Sequence, residues 1–259
     1  MRGNLGATDQ TATIGPKASE TARELLSMAE SMLGGRLSQA GIRPQEEAVR
    51  QYILSQYPLL GRAPTRQEIV AALGLRSADE LQRILERLHS IDSLYLDNAS
   101  QEIRLAYPFS TVPTKHVVRF PDWDEAKPVY AQCAVDALGI PFMVGHNASI
   151  GSSCAHCGGL IAIQVLDGAI VAYQPAETVV WVGTSRSDHA ATSCCPTMNF
   201  FCSSPHVQAW RQPQPDPTGH ELNLGEALYL AKGIFEDLLK VHSRTELSTR
   251  TRPQSHDQR

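Results

Sequence analysis

The sequence predicts an α+β protein in which an N-terminal winged-helix-like helical domain is followed by a mixed α/β domain with a small β-sheet and short helices. Capped helical stripes fill the first part of the chain, apolar β-like runs begin after about residue 117, and an amphipathic helix closes the ordered region. The expected division is a disordered lead at 1–20, the winged-helix-like domain at 21–110, the mixed domain at 115–242 and a disordered tail at 243–259.

Three helices and a β-hairpin are expected between residues 22 and 109. The first helix carries apolar residues at i, i+3 and i+4, and capping boxes at Thr65–Glu68 and Ser77–Glu80 begin the next two. Apolar segments at 94–96 and 103–105 flank turn residues and predict the hairpin. This order of elements is typical of a winged helix.

The charge of the third helix disfavours DNA binding. Residues 77–92 hold four acidic residues and two arginines, a net charge of −2 on the segment that would approach phosphates. The chain as a whole has a formal net charge of −4. A scaffold role is therefore favoured for this domain.

The second half of the chain is predicted to contain strands at 160–166, 169–173 and 178–182, a Pro-rich loop at 205–217, and a closing helix at 224–241. Hydrophobic residues make up 42% of the chain and charged residues 19%, which is globular composition. Apolar runs are too short for a membrane span, and the N-terminus has no secretory signal pattern. We therefore expect a cytoplasmic protein whose six cysteines are free thiols or metal ligands.

One pair of candidate functional residues lies on a predicted helix bracketed by Pro128 and Pro141. Cys133 and Asp136 are three residues apart, which places a thiol and a carboxyl on one helix face about 5–6 Å apart at Cβ. In the second turn of such a helix the dipole favours a thiolate. The alternative is a buried small cysteine beside a surface aspartate.

The other cysteines leave several interpretations open. If Cys194 and Cys195 lie in a strand, they point to opposite faces and only one can join Cys133, whereas a vicinal disulfide would be strained. Cys154 and Cys157 form a lone Cys-x-x-Cys, which with Cys194 and Cys195 would make a poorly specified four-thiolate zinc site. Several thiols with one nearby carboxyl indicate a site for a soft, thiophilic metal.

Three separated motifs resemble those of the bacterial organomercurial (alkylmercury) lyases. They are Tyr-Ala-Gln-Cys-Ala-Val-Asp at 130–136, Ser-Ser-Cys at 152–154, and Cys-Pro-Thr-Met-Asn-Phe-Phe at 195–201. The resemblance covers roughly residues 44–240, and the winged-helix-like domain matches the family's layout. Cys157 departs from the family, which has Thr at that position.

The resemblance implies cleavage of a carbon–mercury bond by protonolysis, which gives a hydrocarbon and Hg(II). Cys133 and Cys195 would bind mercury as thiolates, Asp136 would relay the proton and weakly ligate the product ion, and Cys154 would be structural. Cys154, Cys157 and Cys194 are kept as possible secondary thiols. No cofactor is expected to be required; Hg(II) is the bound product, and external thiols act as co-reductant or acceptor.

The expected partners follow from the same resemblance. They are a small organomercurial substrate and, as Hg(II) acceptor, small thiols or a mercuric reductase, with no membrane and no nucleic acid. A covalent Cys/His hydrolase that uses His146, His156 or His189 is one alternative, although no spacing ties a histidine to Cys133. The other is a thiol-based heavy-metal-sensing winged-helix regulator, which would need a basic DNA face.

Overall fold

The structure is a computed structural model that describes residues 13–40, with only the backbone over 32–40, and residues 42–184, 189–213 and 218–239. Within these ranges the chain forms seven α-helices and eleven strands. The helices are α1 Glu20–Ala40, α2 Pro44–Leu60, α3 Arg66–Leu73, α4 Ala78–Ser90, α5 Ala134–Val144, α6 Ser204–Arg211 and α7 Leu224–Phe235. The strands are β1 Tyr95–Leu96, β2 Ile103–Ala106, β3 Phe109–Ser110, β4 Val117–Arg119, β5 Val129–Ala131, β6 Ala148–Ser153, β7 Leu160–Leu166, β8 Ala169–Gln174, β9 Val179–Gly183, β10 Asn199–Phe201 and β11 Gly219–Asn223.

The strands form two antiparallel sheets. Eight of them pair in the order β1-β2-β3-β5-β4-β6-β7-β8, and the other three pair as β10-β9-β11. The α+β class is confirmed, but the prediction of a small sheet is wrong because the predicted hairpin, β1 and β2, continues through β3 into the larger sheet. The domain boundary near residue 110 stays a prediction.

A helix missing from the sequence analysis precedes the three that were expected. The 21-residue α1 packs against α7, where a Cβ on Gly233 would lie 2.5 Å from the Leu26 side chain. Its apolar residues do not form a strong amphipathic stripe, which explains why periodicity did not reveal it. The Thr65 and Ser77 caps were predicted correctly, since each side chain accepts from the backbone N–H three residues later.

The helix predicted between Pro128 and Pro141 begins later than expected. Residues 129–131 form β5, which pairs with both β3 and β4, and α5 then begins after Cys133 and continues through Pro141 to a left-handed Gly145 cap. The prediction gave Pro128 too much weight as a helix start. The alternating burial of Val129, Tyr130 and Ala131 fits a strand instead.

The predicted tails and loop also need correction where they are described. Residues 13–20 are not disordered: Ile14 forms a β-bridge with Ile170, and the Lys17 N–H donates to the Gly225 carbonyl at 2.8 Å. Residues 1–12 and the predicted tail at 243–259 lie outside the described residues. The Pro-rich segment at 205–217 is helical over α6, because a proline is tolerated in the first helical turn. No helix in the described ranges is long and apolar enough to cross a membrane.

Gly139 sets the separation between α5 and α7. A Cβ at this position would lie 2.0 Å from the Phe235 ring. We expect Gly139→Ala to lower the free energy of unfolding by about 1–2 kcal/mol, because the gain of about 1 kcal/mol in helix propensity offsets only part of the overpacking, which costs about 3 kcal/mol at the upper end. Urea denaturation measures the change. Gly15→Ala is the control, since nothing lies within 4 Å of its Cβ position; equal stability of the two variants would contradict the expectation.

Candidate active site

Cys133 is the N-cap of α5, and its sulfur is part of the helix end. The Asp136 backbone N–H donates to Cys133 Sγ at 3.4 Å, and this capping hydrogen bond holds Asp136 next to Cys133. The Cys133 side chain is 1% exposed and Asp136 is 4% exposed. The i, i+3 spacing therefore does bring the thiol and carboxyl together, through a cap rather than the second helical turn.

Cys195 lies beside Cys133 and Asp136 although it belongs to a different part of the chain. It begins a 3-10 segment, Cys195–Thr197, that leads into β10, and the Ala134 N–H donates to the Met198 carbonyl at 3.1 Å. The ligand atoms of Cys133, Asp136 and Cys195 all lie within 4.8 Å of one another. The convergence expected from the motifs is thus present.

Both neighbouring thiols reach the same cavity, which the strand interpretation did not allow. Cys194 and Cys195 lie at the start of a 3-10 turn, so their side chains do not alternate, and both are buried in the cavity wall. Both are free thiols rather than a vicinal disulfide. The role of Cys194 as a secondary thiol stays a prediction.

Two residues that the sequence analysis missed hold the cysteine segment in place. Asp92, which is 3% exposed, accepts from the Tyr107 hydroxyl at 3.0 Å and from the Ala190 N–H at 3.0 Å. The Tyr107 hydroxyl in turn accepts from the Ala191 N–H at 2.8 Å. An isolated Asp and Tyr carry no sequence signal for this role, because their partners are backbone groups almost a hundred residues away.

A cavity of about 150 Å³ opens over the three converging groups. Its wall is mostly apolar, and α1 and α7 contribute six apolar residues to it. Those helices supply Leu25, Met28, Ala29, Leu230, Ile234 and Phe235. Such a surface suits an apolar group attached to a thiophilic atom.

The environment of Asp136 favours its protonated form. Burial raises the pKa of its carboxyl from an ordinary 3.8 to about 7, and the charge of Cys194 adds to this, while hydrogen bonds with Cys133 act against it. Its Oδ2 atom is buried without a hydrogen-bond partner among the described residues. A carboxyl of this kind can hold and release a proton near neutral pH.

The pKa values of the cysteine thiols are shifted in opposite directions. Burial raises the pKa of Cys133 to about 11, so the dipole effect expected at a helix start does not prevail there. Hydrogen bonds with Cys133 and Cys194, together with burial, hold the pKa of Cys195 well above its ordinary value. The hydrogen bond from Cys195 lowers the pKa of Cys194 to about 7. The raised pKa values therefore favour the protonated thiols at Cys133 and Cys195.

The four-thiolate zinc site considered for Cys154, Cys157, Cys194 and Cys195 is contradicted. Cys154 and Cys157 lie together with Cys202 and His206, whereas Cys195 lies with Cys133. That alternative combined the Cys-x-x-Cys with the adjacent pair Cys194 and Cys195, and the signal overlooked was the Cys-x-x-x-His of Cys202 and His206.

The histidines of the hydrolase alternative are placed elsewhere. His146 stacks on Trp123, and His189 Nδ1 lies 3.2 Å from Asp92 Oδ1. His156 is tilted against His206 with ring centroids 5.2 Å apart. Within the described ranges, the group around Cys133 and Cys195 contains no histidine.

The sequence around Cys133, Asp136 and Cys195 matches a known protein family. The model of the family described as "MerB: Alkylmercury lyase" matches residues 109–236, from β3 to the end of α7. The chain belongs to the alkylmercury lyase family. The resemblance inferred from the three motifs is confirmed.

Individual alkylmercury lyases are similar over most of their length. That of Pseudomonas putida is 27% identical over 203 residues, which are 76% of this chain and 90% of that protein. That of Staphylococcus epidermidis is 29% identical over 154 residues, 59% of this chain and 67% of that protein. A solved structure, the mercury-bound form of MerB2, has a TM-score of 0.66 at 20% identity and covers 85% of this chain and 100% of that chain. This chain therefore shares its fold with MerB2.

The raised pKa of Asp136 predicts a stability cost in this alkylmercury lyase family member. Between about pH 4 and pH 7 the folded state binds more protons at this carboxyl than the unfolded state, so the free energy of unfolding falls as the pH rises, by up to about 4 kcal/mol. Asp136→Asn removes the buried charge. We expect it to match the wild type near pH 4 and to exceed it by about 2–4 kcal/mol above pH 7 in urea denaturation.

The matched control is Asp124→Asn, which changes an exposed carboxyl. It should follow the wild type at every pH. A constant difference between Asp136→Asn and the wild type across this range would show that burial does not raise this pKa.

Proposed function

We propose that this protein cleaves the carbon–mercury bond of small organomercurials by protonolysis. The observation that carries the proposal is the convergence of Cys133, Cys195 and a buried, protonatable Asp136 beside an apolar cavity. Two thiols bind a soft metal, a carboxyl moves a proton, and the cavity receives the organic group. Family membership supports the same reaction.

The thiols act first. Mercury bound to an external thiolate exchanges that ligand for Cys133 and then gains Cys195, and the two cysteine protons leave as the sulfurs bind. One proton goes to the departing external thiol and the other to Asp136. Two thiolate donors then increase the electron density on the carbon bonded to mercury.

Asp136 completes the reaction by giving its proton to that carbon. The carbon–mercury bond breaks as the carbon–hydrogen bond forms, and the products are a hydrocarbon and Hg(II) held by Cys133 and Cys195, with Asp136 as a weaker ligand. A proton donor placed in this way contributes about 10²–10⁴ to a rate. With a pKa of about 7, Asp136 can both accept and donate this proton at neutral pH.

The cavity sets the size of the organic group. An apolar protein cavity of roughly 150 Å³ is large enough for benzene, and this cavity has about that volume. Methyl and phenyl groups both fit, so the substrates include small alkyl and aryl mercurials.

No resident cofactor takes part in this scheme. External thiols remove Hg(II) from Cys133 and Cys195 and restore the two thiols, and small thiols or a mercuric reductase accept the ion. The cytoplasm, where thiols are kept reduced, is the compartment that suits the reaction.

We further infer that α2, α3, α4 and the β1–β2 hairpin form a winged-helix-like unit. The element order supports this inference. Since α4 holds three acidic residues and two arginines, a net charge of −1, it offers no basic face to phosphates, and the unit acts as a scaffold and not as a DNA-binding domain. Asp92, which follows α4, connects this scaffold to the cysteine segment.

Replacing either mercury ligand tests the reaction. Cys133→Ser and Cys195→Ser should each lose cleavage of methylmercury, measured as methane release with excess external thiol, because a hydroxyl binds mercury weakly. Serine still caps α5 at position 133, so the thermal denaturation midpoint should change little in that variant. Turnover near the wild-type rate in either folded variant would refute the proposed ligands.

Asp136→Asn separates binding from protonation. The variant should still bind methylmercury and Hg(II) with near wild-type stoichiometry, while single-turnover methane release slows by about 10²-fold or more because the proton donor is lost. Asp124→Asn should release methane at the wild-type rate. If Asp136→Asn does so as well, the proton comes from another group.

A further inference from the structure

A second cluster of soft ligands lies outside the candidate active site. Cys154, Cys157, Cys202 and His206 place their ligand atoms within 4.8 Å of one another, and none of them lines the cavity over Cys133. We call these four residues the 154–206 cluster. Cys154 is buried, Cys202 and His206 are partly buried, and Cys157 is exposed.

The first two ligands lie on a tight turn after β6. The Cys154 N–H donates to the Gly159 carbonyl at 2.8 Å, and the Gly158 N–H donates to the Cys154 carbonyl at 3.0 Å. Gly158 has a φ of +72°, and a Cβ on Gly159 would lie 3.2 Å from Cys157 Sγ and 3.4 Å from Cys202 Sγ. The two glycines therefore let the chain fold back and the sulfurs approach each other.

The other two ligands come from the junction of β10 and α6. Cys202 follows the last residue of β10, and its backbone N–H donates to Cys154 Sγ at 3.4 Å. His206 lies in the first turn of α6 and points its Nδ1 at Cys154 Sγ. A Cys-x-x-Cys turn thus faces a Cys-x-x-x-His segment, and two such spaced pairs are the usual ligand arrangement of structural zinc.

The distances fit a tetrahedral ion. With Zn–S bonds of about 2.3 Å and Zn–N bonds of about 2.0–2.1 Å, tetrahedral geometry separates two sulfurs by roughly 3.8 Å and a sulfur from a nitrogen by roughly 3.6 Å. Cys157 Sγ and Cys202 Sγ are 3.8 Å apart, and Cys154 Sγ is 3.5 Å from His206 Nδ1. A disulfide between Cys157 and Cys202 would need about 2.05 Å.

We propose that Cys154, Cys157, Cys202 and His206 together bind one Zn²⁺. The three thiols release their protons on binding, and neutral His206 donates through Nδ1, so no oxidant or reductant is needed. Four protein ligands complete the coordination, which makes the site structural rather than catalytic. The ion clamps the 154–159 turn to the β10–α6 junction, and β10 is the strand that follows Cys195.

The metal content of the full chain, purified under reducing conditions from zinc-containing medium, tests this proposal. We expect about one zinc per chain in the wild type, and less than about a tenth of that in Cys157→Ser, Cys202→Ser and His206→Gln after dialysis against a chelator. Two matched controls should keep the full zinc content. They are His156→Gln, which changes the histidine beside His206, and Cys133→Ser, which removes a thiol from the other cluster.

Cobalt substitution of the wild type gives a readout that does not depend on the variants folding. Replacement of zinc by Co²⁺ should produce a thiolate-to-cobalt charge-transfer band and intense visible bands of a tetrahedral ion, also in His156→Gln. Absence of both zinc and these bands in the wild type, or full zinc content in Cys202→Ser and His206→Gln, would overturn the proposal. So would a Cys157–Cys202 disulfide in the reduced preparation. Methylmercury cleavage is not measured, so failure of the lyase function would leave this result unaffected.

Discussion

The burial of Asp136 beside a capping cysteine is the constraint on which the candidate site depends. Removing the carboxyl from water brings its pKa close to neutral, which is what a group that must first take and then give a proton requires. The same burial keeps Cys133 protonated until a metal arrives. In the proposed reaction, one desolvated pocket would thus prepare both the proton and the metal ligand, and we expect the stability of the protein to be lower for it.

The rest of the fold closes this pocket. Helices α1 and α7 supply part of its apolar wall, and the bonds of Asp92 and Tyr107 to the backbone at 190–191 hold the cysteine segment. Neither of these supports contains a residue that reacts. They keep water from the carboxyl and keep two distant sulfurs within reach of one atom.

The sequence predicted what depends on local pattern and motif. Capped helices such as α3 and alternating strands such as β7 were placed correctly, and three motifs were enough to bring Cys133, Asp136 and Cys195 together. Features set by tertiary contacts were missed. Helix α1 lacks a strong amphipathic stripe of its own, and residues 129–131 form β5 although Pro128 predicted a helix there. Cys202 and His206 meet Cys154 only through tertiary contacts, among them the hydrogen bond from the Cys202 N–H to Cys154 Sγ. The pKa of Asp136 also follows from burial, which spacing does not reveal.

The position of Cys133 at a helix N-cap bears on how function is inferred for relatives of this chain. Serine caps helices better than cysteine does, so natural drift from Cys to Ser at this position would leave the end of α5 intact or improved. The resulting protein would keep the fold, the cavity and the overall sequence similarity while losing one of the two proposed mercury ligands. A single substitution could therefore produce a family member that folds but does not catalyse the reaction. Assigning activity to a relative requires checking that it has cysteine at this position, as well as a match to the family.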